Sequence, residues 1–452
     1  MLKDWSKILI LFGLLVGSGT LVAQENNITI QPKTNSPFSR FGLGDPIDQF
    51  FAGQSGMAGL SAAFRDPYQL NLLNPASLSA LQATAFEVGV YGKYSYFETP
   101  SASDGLWSGN LNYMALGFPL KNPINKVLDR DQSPWTFGMA IALQPYTIVG
   151  YDVETTSIVD GVDQVSSYLK GTGGTYRFQW GNAAKYKDIS VGVNIGYIFG
   201  KITNSRRIEF DSLNNYYNSE FRDDISVGGF TWNAGVQYIY YFKEAGKDGM
   251  LKNSSKRIVV GAYGNSTLPI TTKSDRYYSR ANLGYGTRDT ILFEDIIQES
   301  GQLPTELTIG LAYEDVNKFR LGIEYHYGAW SEYQNDAKEE NLLDTWRIRI
   351  GGELIPDIAS YNNYFRRVRY RAGFSYGLDP RSLGGEQLTI YNVSLGFGFP
   401  IIMPRQQISF VNFGVEAGQF GVGSDILTET YVKMTLGFTL NDNSWFFKRK
   451  FN

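Results

Sequence analysis

Side chains able to do covalent or acid–base chemistry are few in this chain, and their spacing suits no reaction. There is no cysteine and a single histidine, His326. Without cysteine there is neither thiol nucleophile nor disulfide, and one histidine without cysteine makes a poor zinc set. His326 falls on an alternating stretch, FRLGIEYHYGAW (319–330), and spacing assembles no Ser–His–Asp set around it. It reads as a hydrogen-bonded, inward-facing histidine. NLGYGTRDT (282–290) contains glycines but lacks both the GxxxxGK[ST] pattern and a βαβ setting. Asn125, Asp129 and Asp131 lack the spacing of a calcium loop. The expectation is a protein that is not an enzyme, with no metal and no cofactor.

One group of charges does invite a specific interaction. Arg320, Arg347, Arg349, Arg367, Arg369 and Arg371, with Glu324 and Glu353 among them, fall on three consecutive alternating segments. Adjacent antiparallel strands bring such residues within cross-strand reach. Two roles stay open. The arginines and glutamates pair into a network that packs a polar interior, or surplus arginines hold an anionic group such as a carboxylate.

The elements that must position these charges are strands. In 319–330, Phe319, Leu321, Ile323, Tyr325 and Tyr327 alternate with Arg320, Gly322, Glu324, His326 and Gly328. Segments 345–354 and 367–376 repeat the pattern, and 428–440 sets Val432, Met434, Leu436 and Phe438 against Tyr431, Lys433 and Thr435. Fourteen such segments run from about residue 84 to 440. Their connections alternate in length, with 119–134 the one long exception among the short ones, and the stretches 150–167, 202–225 and 269–303 read as long loops at the other end. Charged residues are 19%, aromatics 15%, and there are 49 glycines; that mix suits strands with one apolar face. An even number of amphipathic strands in an exported chain predicts an all-β, 14-stranded antiparallel barrel of the outer membrane of a Gram-negative bacterium. A net charge of -3 offers no basic surface for nucleic acid.

Export is read from the start of the chain. A short charged stretch, MLKDWSK, precedes the apolar run ILILFGLLVGSGTLV and Ala23–Gln24, the layout of a signal peptide over 1–23. Residues 24–34 then read as a periplasmic tail, 35–82 as a plug, 83–440 as the barrel, and 441–452, with Trp445, Phe446 and Phe447, as a periplasmic tail at the interface. The plug assignment rests on Phe38, Phe41, Phe50, Phe51, Met57, Leu60 and Phe64, set in a Gly/Ala/Ser-rich stretch with no sustained period. A solvated linker has nothing to bury such groups against. They either seal the barrel or line an apolar ligand site. Asn74, Pro75 and Ala76 read as the turn into the first strand.

Within this stretch, GMAGLSAAFRDPYQLNLLNPASL (56–78) resembles the hatch signature of the FadL/TodX-type outer-membrane transporters, through Gly56, Gly59, Ala62, Asp66, Asn74, Pro75 and Ala76. LPTELTIGLAYEDVNKFRLGIEYHYGAWSEYQ (303–334) resembles the family's strand–turn–strand block, and RYRAGFSYGLDP (369–380) its following strand. The resemblance implies a fourteen-stranded barrel with an N-terminal hatch in its lumen. It also implies passive uptake of fatty-acid-like or aromatic molecules, with outer-membrane lipid as surroundings. A branch of the superfamily handles secreted proteins, so a subunit or docking platform among other outer-membrane proteins is the alternative.

Overall fold

The computed structural model describes residues 36–121, 133–159, 163–210, 217–245, 251–282, 287–402, 407–422 and 424–442. The expected signal segment, the tail at 24–34, residues 443–452 of the tail expected over 441–452 and the core of the 119–134 connection therefore lie outside the described residues; Asn441 and Asp442 are strand. Among the described residues, fourteen antiparallel strands close into one barrel. They are β1 (Thr84–Glu98), β2 (Ser103–Pro119), β3 (Trp135–Val159), β4 (Asp163–Tyr186), β5 (Ile189–Phe210) and β6 (Asn218–Ala245). β7 runs Leu251–Asn265 and continues as Leu268–Asn282, and β8 runs Thr287–Leu303 and continues as Glu306–Asp315. β9 (Phe319–Gly328), β10 (Thr345–Leu354), β11 (Arg369–Leu383), β12 (Glu386–Ile402), β13 (Ile408–Phe420) and β14 (Thr428–Asp442) complete the wall. Closure comes from β14 against β1, with Asp442 opposite Thr84 and Thr428 opposite Glu98.

Tight turns join strands at one end, here the turn end. Lys187 and Asn317 take positive φ values of 52° and 64° there, a conformation that asparagine tolerates. At the opposite end the structure departs from the sequence reading. The stretches 150–167, 202–225 and 269–303 were expected as loops, yet most of each is strand. Val149–Val159, Asp163–Gly174, Ile202–Phe210, Asn218–Gly228, Leu268–Asn282 and Thr287–Leu303 form a six-stranded sheet that extends β3 to β8 beyond their neighbours. Much of it is exposed on both faces (Thr287–Phe293 throughout, for example), so the apolar half of the alternation is missing, and with it the strand signal. Its inner side carries a separate core of Val149, Tyr151, Ile202, Ile225, Ile270 and Leu303 with Leu43 and Tyr333.

The wall is continuous except between β2 and β3. Those strands pair only from Met114 to Pro119 against Gly138 to Leu143. Beyond that point β2 pairs with β1 alone, and the edge of β3 is taken over by a different chain segment. Asp45 and Pro46 pair with Ile148 and Thr147, and the Ile47 amide donates to the Tyr146 carbonyl at 3.0 Å.

Candidate functional site

Residues 36–82 lie inside the wall, and they divide into two stretches with different attachments. From Ala52 to Ala80 the chain forms a short helical turn (Ala52–Ser55), a loop, and a 3-10 helix (Pro75–Ala80). Asn74 caps that helix: its Oδ1 accepts from the Ala76 amide at 3.1 Å, and its Nδ2 donates to the Ala62 carbonyl at 2.7 Å. Under this stretch the wall presents glycine. Every strand from β2 to β14 places one against it, from Gly117 on β2 to Gly437 on β14. A Cβ at Gly138 would stand 1.9 Å from the Leu78 carbonyl oxygen, and one at Gly261 would stand 1.9 Å from that of Ala62. The belt lets two backbones meet directly, which explains why so many glycines occur inside strands that glycine otherwise weakens.

Hydrogen bonds hold the same stretch from all sides. Glu324 of β9 accepts from the amides of Ser61 and Ala62, both at 2.7 Å. Glu87 of β1 accepts from the Leu70 amide at 2.6 Å, while Asn194 and Asn233 of β5 and β6 donate to the carbonyls of Leu72 and Leu73. A segment with little regular structure of its own thus finds partners for its buried backbone, as low-dielectric surroundings require.

The charged residues expected on the inner face form an ordered row with additions from neighbouring strands. Arg257, Glu314, Arg320, Glu353 and Arg371 are successive cross-strand partners on β7 to β11, alternating in sign. Arg257 and Arg320 reach Glu314 at 2.6 and 2.5 Å, and Arg371 reaches Glu353 at 2.7 Å. Arg349 pairs with Glu324 at 2.8 Å and Arg369 with Asp66 at 2.6 Å. Two arginines behave otherwise. Arg367 was expected on this strand face, but it ends a 3-10 helix (Tyr364–Arg367) before β11 begins and lies against the Tyr364 ring. The turn, not the strand, sets its direction. Arg347 lines a cavity, and among the described residues no carboxylate lies within ion-pair distance of it.

That cavity, about 380 Å³, lies beside residues 41–50. Here the attachments are bridges with open space between them. Arg381 pairs with Asp45 and Asp379 and donates to the Phe38 carbonyl. Lys433 meets Asp48 at 2.5 Å, and Arg177 donates to Gln49 at 2.8 Å. Ser108 on β2 and Tyr146–Ile148 on β3 both line the cavity, so it reaches the place where the wall parts. Connection 329–344 roofs it through Trp330, Tyr333 and Leu342, and Lys338 donates to the Arg40 carbonyl. Burial pushes the Lys338 amine below its ordinary range.

The apolar residues of 36–82 separate accordingly. Phe41 and Phe50 line the cavity. Phe38 packs on Phe420 with ring centroids 4.5 Å apart, Phe51 stacks on Tyr113 at 4.1 Å, and Met57, Leu60 and Phe64 form one buried cluster. Ser36 lies beside Gly150 and Phe38 beside Phe97, at the end of the barrel opposite Thr84 and Asp442. His326 shares a hydrogen bond with Thr308 through Nδ1 at 2.9 Å. Sequence reasoning missed Glu314, Asp45, Asp48 and Arg381, and placed Lys433 on its strand face without the Asp48 partner. Glu314 and Lys433 stand on the inward phase of their strands, which was the available signal.

A family model for BamG matches residues 6–452. Among solved structures, a FadL homologue of Pseudomonas aeruginosa is 13% identical, with 86% of this chain and 97% of that one covered and a TM-score of 0.53. The toluene transporter TodX of Pseudomonas putida is 14% identical, with 88% and 99% covered and a TM-score of 0.51. Comparison with curated protein sequences finds no match. At such identities the structural likeness speaks for the fold, that of the FadL-type outer-membrane barrels. The chain belongs to the BamG family, built on that barrel.

Proposed function

We propose that this protein is a non-enzymatic outer-membrane barrel that takes up a hydrophobic small molecule, fatty-acid-like or aromatic, by passive diffusion. The turn end faces the periplasm and the extended sheet faces outward. The observation that carries this reading is the parting of β2 and β3 over a cavity lined on both sides of the gap. A molecule dissolved in the outer leaflet reaches the cavity sideways there, without crossing the polar surface. The relatives of this fold support the substrate class, since TodX is a toluene transporter. Residues 36–50 act as the gate, because Asp45–Ile47 take up the free edge of β3 and residues 41–50 line the cavity behind it. The test is uptake of an uncharged fluorescent hydrocarbon probe into proteoliposomes. Faster uptake than in protein-free vesicles, lowered by bulky substitutions of Ser108, supports the reading; equal rates refute it.

A second reading is favoured by the extended sheet. Among the described residues its β8 edge from Thr287 to Glu299 pairs only with β7, and Phe293 and Ile296 are two-thirds exposed. Open edges accept strands from other chains, which suits a barrel acting as subunit or docking platform in a larger outer-membrane protein complex. Gentle purification separates the two: stoichiometric protein partners favour the platform, a lone barrel with bound lipid the uptake route.

A further inference from the structure

A second cavity, about 280 Å³, opens at the turn end on the far side of residues 52–80 from the first. Its charges do not balance. Arg257 and Arg320 share Glu314, Arg369 takes Asp66, and Glu353 is reached by Arg371 at 2.7 Å and by Arg320 and Arg369 at 3.8 Å. The cross-strand row therefore ends one cation in excess.

Arg65 adds another. It is 3% exposed, and among the described residues its Nη1 donates to neutral acceptors alone, Ser190 Oγ and Gln237 Oε1, each at 3.2 Å. On the rim, Arg367 has a buried Nε that meets no acceptor, and Arg320 Nη1 is likewise without a hydrogen bond. Guanidinium groups withdrawn from water without a counter-charge are costly unless an anion joins them. Planar, fork-shaped donors favour oxyanions in particular. One side of the mouth is apolar, with Ile358, Ile402 and Ile408, and Ile402 is 60% exposed; the other side carries the turn Asp315–Lys318, where Lys318 pairs with Asp315.

We propose that this cavity is a binding site for the oxyanionic head group, phosphate or carboxylate, of an amphiphile. The head group meets Arg65, Arg320 and Arg367, and the chain leaves over Ile358 and Ile402. The site takes its ligand from the periplasmic leaflet, which rests on the orientation proposed above; the chemistry of the cavity does not depend on it. Nor does it depend on uptake through the outer cavity, which an uncharged hydrocarbon probe reports separately.

The experiment uses the full chain in a neutral detergent, titrated with dihexanoyl phosphatidylglycerol, dodecanoate, inorganic phosphate and dihexanoyl phosphatidylcholine. Retention is read by native mass spectrometry. The anionic amphiphiles are expected to bind and phosphatidylcholine not to. Arg367→Gln is expected to weaken them about tenfold, the loss of one charge-assisted contact. Arg65→Gln tests the deep end; Arg367, on an exposed turn, keeps the test valid if that variant fails to fold. Inorganic phosphate binding as tightly as the lipid assigns the site to the free anion and removes the role of the apolar mouth. Equal binding of phosphatidylcholine, or an Arg367→Gln affinity equal to wild type, overturns the proposal.

Discussion

Residues 36–50 and 51–82 belong to one continuous segment inside one barrel, yet the wall treats them differently. The second stretch rests on a belt of glycines, with its backbone groups taken up by side chains from many strands. The first runs along the edge that β3 leaves free, beside an open cavity, and is tied by separate ion pairs. Backbone contact over a broad surface leaves no room for partial movement. A few bridges across a cavity do. The gate proposed above is therefore assigned to the first stretch.

The largest expected effect comes from the second stretch. Glu324→Ala removes the acceptor of two amides and strands Arg349 in the interior. The expected loss is about 3–5 kcal/mol, the cost of leaving a buried charge without its partner, measured by urea unfolding of the purified barrel. Gly261→Ala follows, at about 1–3 kcal/mol, because the added Cβ meets a carbonyl that cannot retreat. A neutral outcome there would mean that the belt is loose and the contrast false.

Asp48→Ala acts on the first stretch. Its bridge to Lys433 is part-exposed on the Asp48 side, 30% accessible, but Lys433 itself is buried, so about 1–2 kcal/mol is expected, less than for the interior Glu324. Hydrogen exchange should accelerate in residues 41–50 and stay unchanged in 52–80. The smallest effect concerns the roof. Asp344 accepts from the Ser331 amide and the Tyr327 hydroxyl, and the bonds from Ser331 first of all hold its carboxyl below the usual range. A depressed carboxyl contributes above its unfolded value, and that contribution is lost as the pH falls through the folded value. Limited proteolysis of 331–344 should therefore rise on acidification, and should rise less in Asp344→Asn.

Much of the wall was legible because alternation in 319–330 and 345–354 reports which side faces apolar surroundings. The inward phase of Arg320, Arg349, Arg369 and Arg371 followed from it. Arg367 did not, since a helical turn ahead of β11 breaks the phase that alternation assumes. The glycine belt was hidden for another reason. Each glycine looks like a local weakness until the register of thirteen strands lines them up against Ala52–Ala80. Glu324 read as an arginine partner, which it is, but its amide partners at Ser61 and Ala62 lie 263 and 262 residues away. The parting of β2 and β3 leaves one mark, Pro145, which follows two residues after the last pair, lacks an amide hydrogen and sits at a register shift; the alternation itself carries no trace of the lost pairing.

The most direct test locks the first stretch to the wall. Asp45 and Ile148 are opposed partners, at a spacing that antiparallel pairs share with disulfides, and the chain has no native cysteine to interfere. In an Asp45→Cys, Ile148→Cys double variant, hydrocarbon uptake into proteoliposomes should stop under oxidation and return with reductant. Uptake at the same rate in both states would contradict the account and place the gate elsewhere.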